Sequence, residues 1–228
     1  MTTPINEKVQ TPVVTTGSVG LNASFKEYGA DRILLFGPTV EGKVEHKDFY
    51  ASAGVTAGTG LSVGAEVGKE FDINKNWGLN LSANANHTRA LLGENKTSII
   101  MTHNLQVNRN DIANNTSLET RGSAQWKPAI TTAGVKAMAN YTTDNGKFTF
   151  GAGLSGQYAK NNAKDISLTA TVKDNNQAIN TATSEIKRRE EGFVLSPELK
   201  AGWNANKHIS FEANVNGFGG GVTAKYTF

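Results

Sequence analysis

The stretch His208–Phe228, HISFEANVNGFGGGVTAKYTF, decides how the rest of the chain is read. Ile209, Phe211, Ala213 and Val215 alternate with Ser210, Glu212, Asn214 and Asn216. Beyond the glycines, Val222, Ala224, Tyr226 and Phe228 alternate with Thr223, Lys225 and Thr227. A strict period of two, with one apolar and one polar face, is what a strand between two unlike environments writes into a sequence. The glycine cluster between the runs suits a tight turn. The chain therefore ends in a β-hairpin whose last residue is aromatic.

That ending, carried by Val222, Ala224, Tyr226 and Phe228, resembles the closing strand of bacterial outer-membrane β-barrels, where a terminal Phe and alternating hydrophobic residues form the assembly signal. The resemblance implies an outer-membrane location in a Gram-negative envelope and the barrel-assembly machinery as a partner through the C-terminal strand.

Upstream the same grammar repeats. Val19, Leu21, Ala23 and Phe25 alternate with polar neighbours, as do Phe49 to Ala57 and Leu61 to Val67. Asn74-Lys75-Asn76 is a turn flanked by Phe71 and Ile73 on one side and by Trp77, Leu79 and Leu81 on the other; it is similar to the periplasmic turns of such barrels. Ile99, Met101, Leu105 and Val107 continue the pattern with His103 out of place, and Leu118 to Trp126, Ala133 to Tyr141, Phe148 to Tyr158 and Phe193 to Trp203 follow. Asp144-Asn145-Gly146 is a hairpin signal. Pro38 calls for a distortion in residues 31–44, and Pro197 for a bulge, because proline donates nothing to a ladder.

The chain has 228 residues, 38% of them hydrophobic, 24 glycines and no cysteine. That is lean for a water-soluble core of this length and suits a barrel that turns every second strand residue to lipid and the others to a polar interior. The longest apolar run, Ile33 to Phe36, is far below the ~20 residues of a spanning helix. The N-terminus, MTTPINEKVQTPVVTTG, lacks a basic-then-apolar leader, so the sequence reads as a mature form. A formal charge of +3, scattered along the chain, gives no case for nucleic acid.

The fold class expected is all-β: an antiparallel up-and-down transmembrane β-barrel of twelve strands, counting the weaker segments 31–44 and 97–108. Ten is the runner-up, with the N-terminal 46 residues outside the wall. Residues 1–16 are expected to be a flexible segment, and 17–228 one barrel with a long extracellular hairpin at about 160–190. Counting back from Phe228 places Phe71, Trp77, Tyr141, Phe148, Trp203 and Phe228 in a periplasmic aromatic girdle. Phe25, Trp126, Tyr158, Phe193 and Phe218 fall in an outer girdle.

The charges expected to face the lumen are Lys26, Glu66, Glu70, Glu119, Arg121, Lys136, Glu198, Lys200, Glu212 and Lys225. Placing Phe211 opposite Tyr226, and Ile209 opposite Trp203, sets Glu212 between Lys200 and Lys225 in one cross-strand row. Such charges either fill a narrow lumen or line a conduit that sorts solutes. The function expected is a small passive channel, or porin, for polar or charged solutes. The alternative is an adhesin or structural barrel with a filled lumen working through its extracellular loops, and a soluble or toxin-like β protein is the outside case. A plugged lumen with ordered loops favours adhesion; a continuous water path favours transport.

Catalysis is not expected. His208-Ile209-Ser210 with Glu212 is similar to the His-x-Ser pair of outer-membrane phospholipases and lipid A deacylases, yet it points into the lumen near the wrong rim. His46, His87, His103 and His208 have no ligand spacing, so neither metal nor cofactor is expected. Lys187-Arg188-Arg189, at the outer surface, makes lipopolysaccharide a partner alongside membrane lipid, because guanidinium groups match phosphate geometry.

Overall fold

Alternation becomes a wall. In the computed structural model, which describes residues 12–105 and 116–228, fourteen strands form two antiparallel sheets. Ten of them close a barrel: β1 (Val14–Tyr28), β2 (Asp31–His46), β3 (Phe49–Ala57), β4 (Gly60–Asp72), β5 (Trp77–Ala90), β8 (Ala129–Thr142), β9 (Phe148–Asn161), β12 (Glu191–Asn204), β13 (Ile209–Asn216) and β14 (Gly219–Thr227). Closure runs through β1 and β14, with Ser18 opposite Thr227 and Lys26 opposite Gly219. The other four, β6 (Asn95–Leu105), β7 (Thr116–Trp126), β10 (Ile166–Asp174) and β11 (Gln177–Ile186), form a separate sheet in the order β11-β10-β7-β6.

The expected twelve-stranded wall is therefore corrected to ten. The segments read as wall strands at 97–108 and 118–126 are β6 and β7 and belong to the second sheet; residues 106–108, Val107 among them, lie outside the described residues. The ten-stranded runner-up has the right number with the wrong members, since β1 and β2 of the first 46 residues are in the wall. β1 starts at Val14, within the segment expected to be flexible.

The wall is apolar on its outside. Val135, Leu154 and Phe211 face outward, and Leu34, Phe193 and Leu195 are each 70–71% exposed. Alternate positions point inward and are polar, as on β5, where Asn80, Ser82 and Thr88 are buried. A water-soluble barrel would reverse this arrangement.

The start of β1, the end of β14 and the turns after β2, β4, β8 and β12 share one end of the barrel, here the terminal end. Asparagine side chains build its turns. Asn74 Oδ1 accepts from the backbone N–H of Asn76 (2.9 Å) and Trp77 (3.0 Å), and Asn206 Oδ1 does the same for His208 (2.8 Å) and Ile209 (2.9 Å). Asn145 Oδ1 takes Lys147 N at 3.0 Å beside Gly146 at φ 67°. These are Asx turns, which supply a local acceptor where the ladder stops. At the opposite, extended end, the β6–β7 and β10–β11 hairpins leave the wall and pair with each other, Gly122 opposite Leu168.

The prolines sit where ladders end. Pairing of β2 with β3 begins at Thr39, one residue past Pro38. Beyond it, the Thr59 hydroxyl accepts from Phe36 N (2.9 Å) and donates to Leu34 O (2.8 Å), replacing the missing strand. Pro197 likewise precedes Glu198, the first residue paired with β13. The register of β12 on β9 crosses Pro197 without a shift, so no bulge forms there.

Candidate functional site

The inward faces of six strands bring their charges together at mid-height. Lys136 of β8 lies between Glu66 of β4 (3.1 Å) and Glu198 of β12 (3.6 Å). Lys225 of β14 lies between Glu41 of β2 (2.6 Å) and Glu212 of β13 (3.2 Å), and Glu212 also holds Lys200 at 3.3 Å. Tyr50 donates its phenol proton to Glu66 and accepts from Asn80 Nδ2 at 2.9 Å. Its ring lies over Gly68, where a Cβ would come within 2.7 Å, so the absence of a side chain on β4 makes room for this brace. Desolvation works against each charge here, and only the completeness of the pairing offsets it.

The Lys200–Glu212–Lys225 contacts form in a different register from the one expected. Phe211 is opposite Ala224 and Trp203 is opposite Phe211, so Glu212 faces Thr223 and Gly202 directly and reaches both lysines along diagonals. A slip of two residues keeps every side chain on its face, and diagonal neighbours remain within reach of long side chains.

Other predicted lumen charges divide. Lys26 points inward and donates to Asn86, and Glu70 meets Lys43 (3.7 Å) near the terminal end. Glu119 and Arg121 are corrected: they lie on β7 in the second sheet, where Glu119 pairs with Arg121 and with Lys173 of β10. Glu41, Lys43 and Tyr50 were missed. Glu41 and Lys43 sit on β2, whose proline obscured its alternation, and Tyr50 was counted as merely the polar alternate of β3.

Two cavities, about 400 and 730 Å³, lie on either side of this belt and share Glu66 and Lys136 as lining. At the extended end the mouth is filled. Ile33, Ala90 and Ile130 form a buried cluster with Tyr28 against it, and Phe218 packs on Tyr28 at 5.9 Å. Asp31, fully buried, accepts from Trp126 Nε1 (2.5 Å), Ala129 N (3.1 Å) and Asn162 N (3.2 Å). Asn161 donates to Tyr28 O (3.3 Å) and Arg188 O (3.4 Å) and accepts from Glu190 N (2.8 Å). One carboxylate and one amide thus tie the β1–β2 turn to both long connections.

Trp126 and Phe218, expected in an outer girdle, are corrected: both are buried at this mouth. Phe25, Tyr158 and Phe193 are exposed on the outside. At the terminal end Phe71, Trp77, Phe148, Trp203 and Phe228 are exposed, and Tyr141 packs on Trp77 at 5.1 Å.

Arg188 is engaged at the base of the second sheet, with its guanidinium 5.1 Å above the Trp126 ring and hydrogen-bonded to Thr97 Oγ1 at 2.6 Å. Asp165 takes the backbone N–H groups of Arg188 (2.6 Å) and Arg189 (3.1 Å), which hold its carboxyl below the usual range, and Lys187 adds to the effect. His208 stacks on Tyr226 and donates from Nδ1 to Thr227 O (3.0 Å), while Glu212 is engaged by two lysines. No hydrogen bond joins His208 to Ser210 among the described residues, so a nucleophile–base pair is not assembled.

The second sheet has two unlike faces. Ile99, Met101, Leu118, Leu168, Ala170 and Val172 share one with Thr97 and Thr120, and Lys96, Arg121, Glu119, Thr169 and Lys173 share the other with Ile100. β11 is an edge strand exposed along its whole length.

No family model matches the chain, and no curated protein does. The solved structures it is similar to are bacterial outer-membrane β-barrels. The attachment invasion locus protein Ail of Yersinia pestis aligns at 10% identity and a TM-score of 0.37, over 94% of this chain and 97% of that one. The Escherichia coli outer membrane protease OmpT aligns at 11% and 0.41, over 96% and 98%. An outer membrane channel from Pseudomonas putida F1 aligns at 8% and 0.36, over 99% and 100%. An adhesion-related protein, a protease and a channel stand side by side at these scores, and the likeness selects none of them.

Proposed function

We propose that this chain is a bacterial outer-membrane barrel with a filled lumen that works at the cell surface through its four-stranded sheet, as a non-enzymatic adhesin or structural barrel. The observation that carries this is the extended end. Its mouth is occupied by Ile33, Ile130 and the Asp31 hydrogen-bond centre, and the connections above it are ordered into a sheet with one apolar face and a free edge. An unpaired edge can add a strand from a partner, with main-chain hydrogen bonds giving affinity.

The apolar exterior supports the membrane reading, since an exposed surface of that extent is unstable in water. In this reading the terminal end faces the periplasm, its aromatics mark one interface, and β14 is the strand presented to the assembly machinery. Planar-bilayer recording at high salt is expected to show no open-channel steps. Replacing residues 166–186 by a short turn is expected to leave insertion intact and abolish binding to target cells. Unchanged binding would refute the proposal.

A second reading, a small passive channel, is favoured by the two polar cavities that meet at Lys136. Charge-selective conductance steps would establish it in place of the first.

A further inference from the structure

The outside of the wall is apolar apart from Lys69, which pairs with Asp48 (3.9 Å) near the terminal end, and from charges at the extended end, where one sector is left unbalanced. On β5 the outward positions Leu81, Ala83 and Ala85 lead up to His87 and Arg89; on β8, Val135 and Ala133 lead to Thr131; on β9, Leu154, Gly156 and Tyr158 lead to Lys160. The register sets His87 opposite Thr131 and Thr131 opposite Lys160, with Arg89 one pair nearer the mouth. His87 Nδ1 and Thr131 Oγ1 are 2.8 Å apart. Lys160 meets Glu191 of β12 at 3.2 Å, whereas Arg89 and Lys127 have no carboxylate within 4 Å among the described residues. Of these three basic side chains, Lys160 alone has a carboxylate at salt-bridge distance among the described residues. On the β1–β2 side the corresponding pair, Arg32 and Glu27, neutralises itself at 3.1 Å.

Directly below, on the same strands, the exterior is hollowed. A trough of about 750 Å³ runs over Ala83, Ala137 and Gly156, walled by Leu81, Leu154 and Phe193. Four residues separate Lys160 from Gly156 and Thr131 from Val135, about 14 Å at ~3.4 Å per residue. A cationic head site above an apolar trough fits a molecule with an anionic head and acyl chains.

We propose that this sector binds a phosphate-bearing lipid of the outer leaflet, with its phosphate on Arg89, Lys160 and the His87–Thr131 pair and its acyl chains in the trough. The inference rests on the reading that the wall spans the outer membrane with its extended end outward. Phosphate is the head group that guanidinium and ammonium groups in one row accommodate best. A lipid is favoured over free phosphate because exposed cations alone are screened within ~8 Å at physiological salt, while the trough adds van der Waals packing of acyl chains to the same ligand, which the bilayer already holds at this height.

The test uses the full chain refolded in detergent micelles, with bound lipid measured by native mass spectrometry. Diphosphoryl lipid A, its dephosphorylated form and phosphatidylglycerol are the probes, with and without millimolar inorganic phosphate. Wild type is expected to retain diphosphoryl lipid A about tenfold better than the dephosphorylated form, equivalent to one charge-assisted contact. The Arg89→Gln/Lys160→Gln variant is expected to lose that preference, and Ala83→Phe to lower retention of every lipid by filling the trough. Equal retention of the dephosphorylated form, a preference that survives the double variant, or full displacement by inorganic phosphate would each overturn the inference. A chain that never inserts into vesicles sinks the outer-membrane reading and this one together; a chain that inserts without any preference sinks this one alone.

Discussion

Asp31→Ala tests the closure of the mouth. Asp31 is fully buried and serves three donors, Trp126 Nε1, Ala129 N and Asn162 N, at 2.5–3.2 Å. Ala129 N has a second acceptor in Asn162 Oδ1 (2.7 Å) and Asn162 N has one in Ala129 O (3.1 Å), so Trp126 Nε1 is the donor left unpaired. An unsatisfied buried donor costs about 1–3 kcal/mol, and water entering from the mouth recovers part of that. The expected loss is therefore about 1–2 kcal/mol, read from urea unfolding of the refolded barrel in vesicles by Trp fluorescence. Asp31→Asn keeps one acceptor oxygen, which can still serve Trp126 Nε1, so a smaller loss, below about 1 kcal/mol, is expected. Because the same donors anchor both long connections, trypsin should cut after Lys164 faster in the alanine variant while the wall stays protected. Unfolding of Asp31→Ala at the wild-type urea concentration, with unchanged cleavage, would refute the role assigned to this carboxylate.

Lys136→Met leaves Glu198 without its cation while Tyr50 still serves Glu66, and a loss of about 3 kcal/mol is expected; adding Glu66→Gln and Glu198→Gln should restore most of it, as a urea-unfolding cycle will show. Gly68→Ala puts a methyl group 2.7 Å from the Tyr50 ring, so the near-ultraviolet signal of Tyr50 should change and stability fall by about 1–3 kcal/mol. The carboxyl of Asp165 is held below its ordinary value by the N–H groups of Arg188 and Arg189, so its contribution is complete above the unfolded value of about 3.9 and is lost as pH falls through the lower folded value. Hydrogen exchange at those two amides should thus keep its protection at pH 5 and lose it only well below pH 4, and Asp165→Asn should remove this dependence.

The wall was legible because bilayer and lumen impose opposite demands on neighbouring residues, and Val222 to Phe228 or Phe49 to Ala57 satisfy both at once. The same legibility misassigned β6 and β7. A free-standing sheet with Ile99, Met101 and Leu118 on one face writes the same alternation as a strand against lipid, since a period of two records that the faces differ and not what touches them. The Glu212 contacts were foreseeable despite a register slipped by two, because such a slip exchanges direct neighbours for diagonal ones on the same face. Trp126 and Phe218 were misplaced because rim aromatics can turn inward over a mouth as readily as outward. Asp31 carried no signal: a single acid beside a turn looks solvated until three donors from distant segments converge on it.

Strand β7 pairs with β10 across the whole of β8 and β9, with Gly122 and Leu168 joined over that excursion. The exposed sheet is therefore a late product of folding, since contacts so distant in sequence form after local hairpins. An antibody whose epitope straddles β7 and β10 would bind only molecules whose middle strands are already paired. The outermost part of the protein would then serve as a clock for the maturation of the part hidden beneath it.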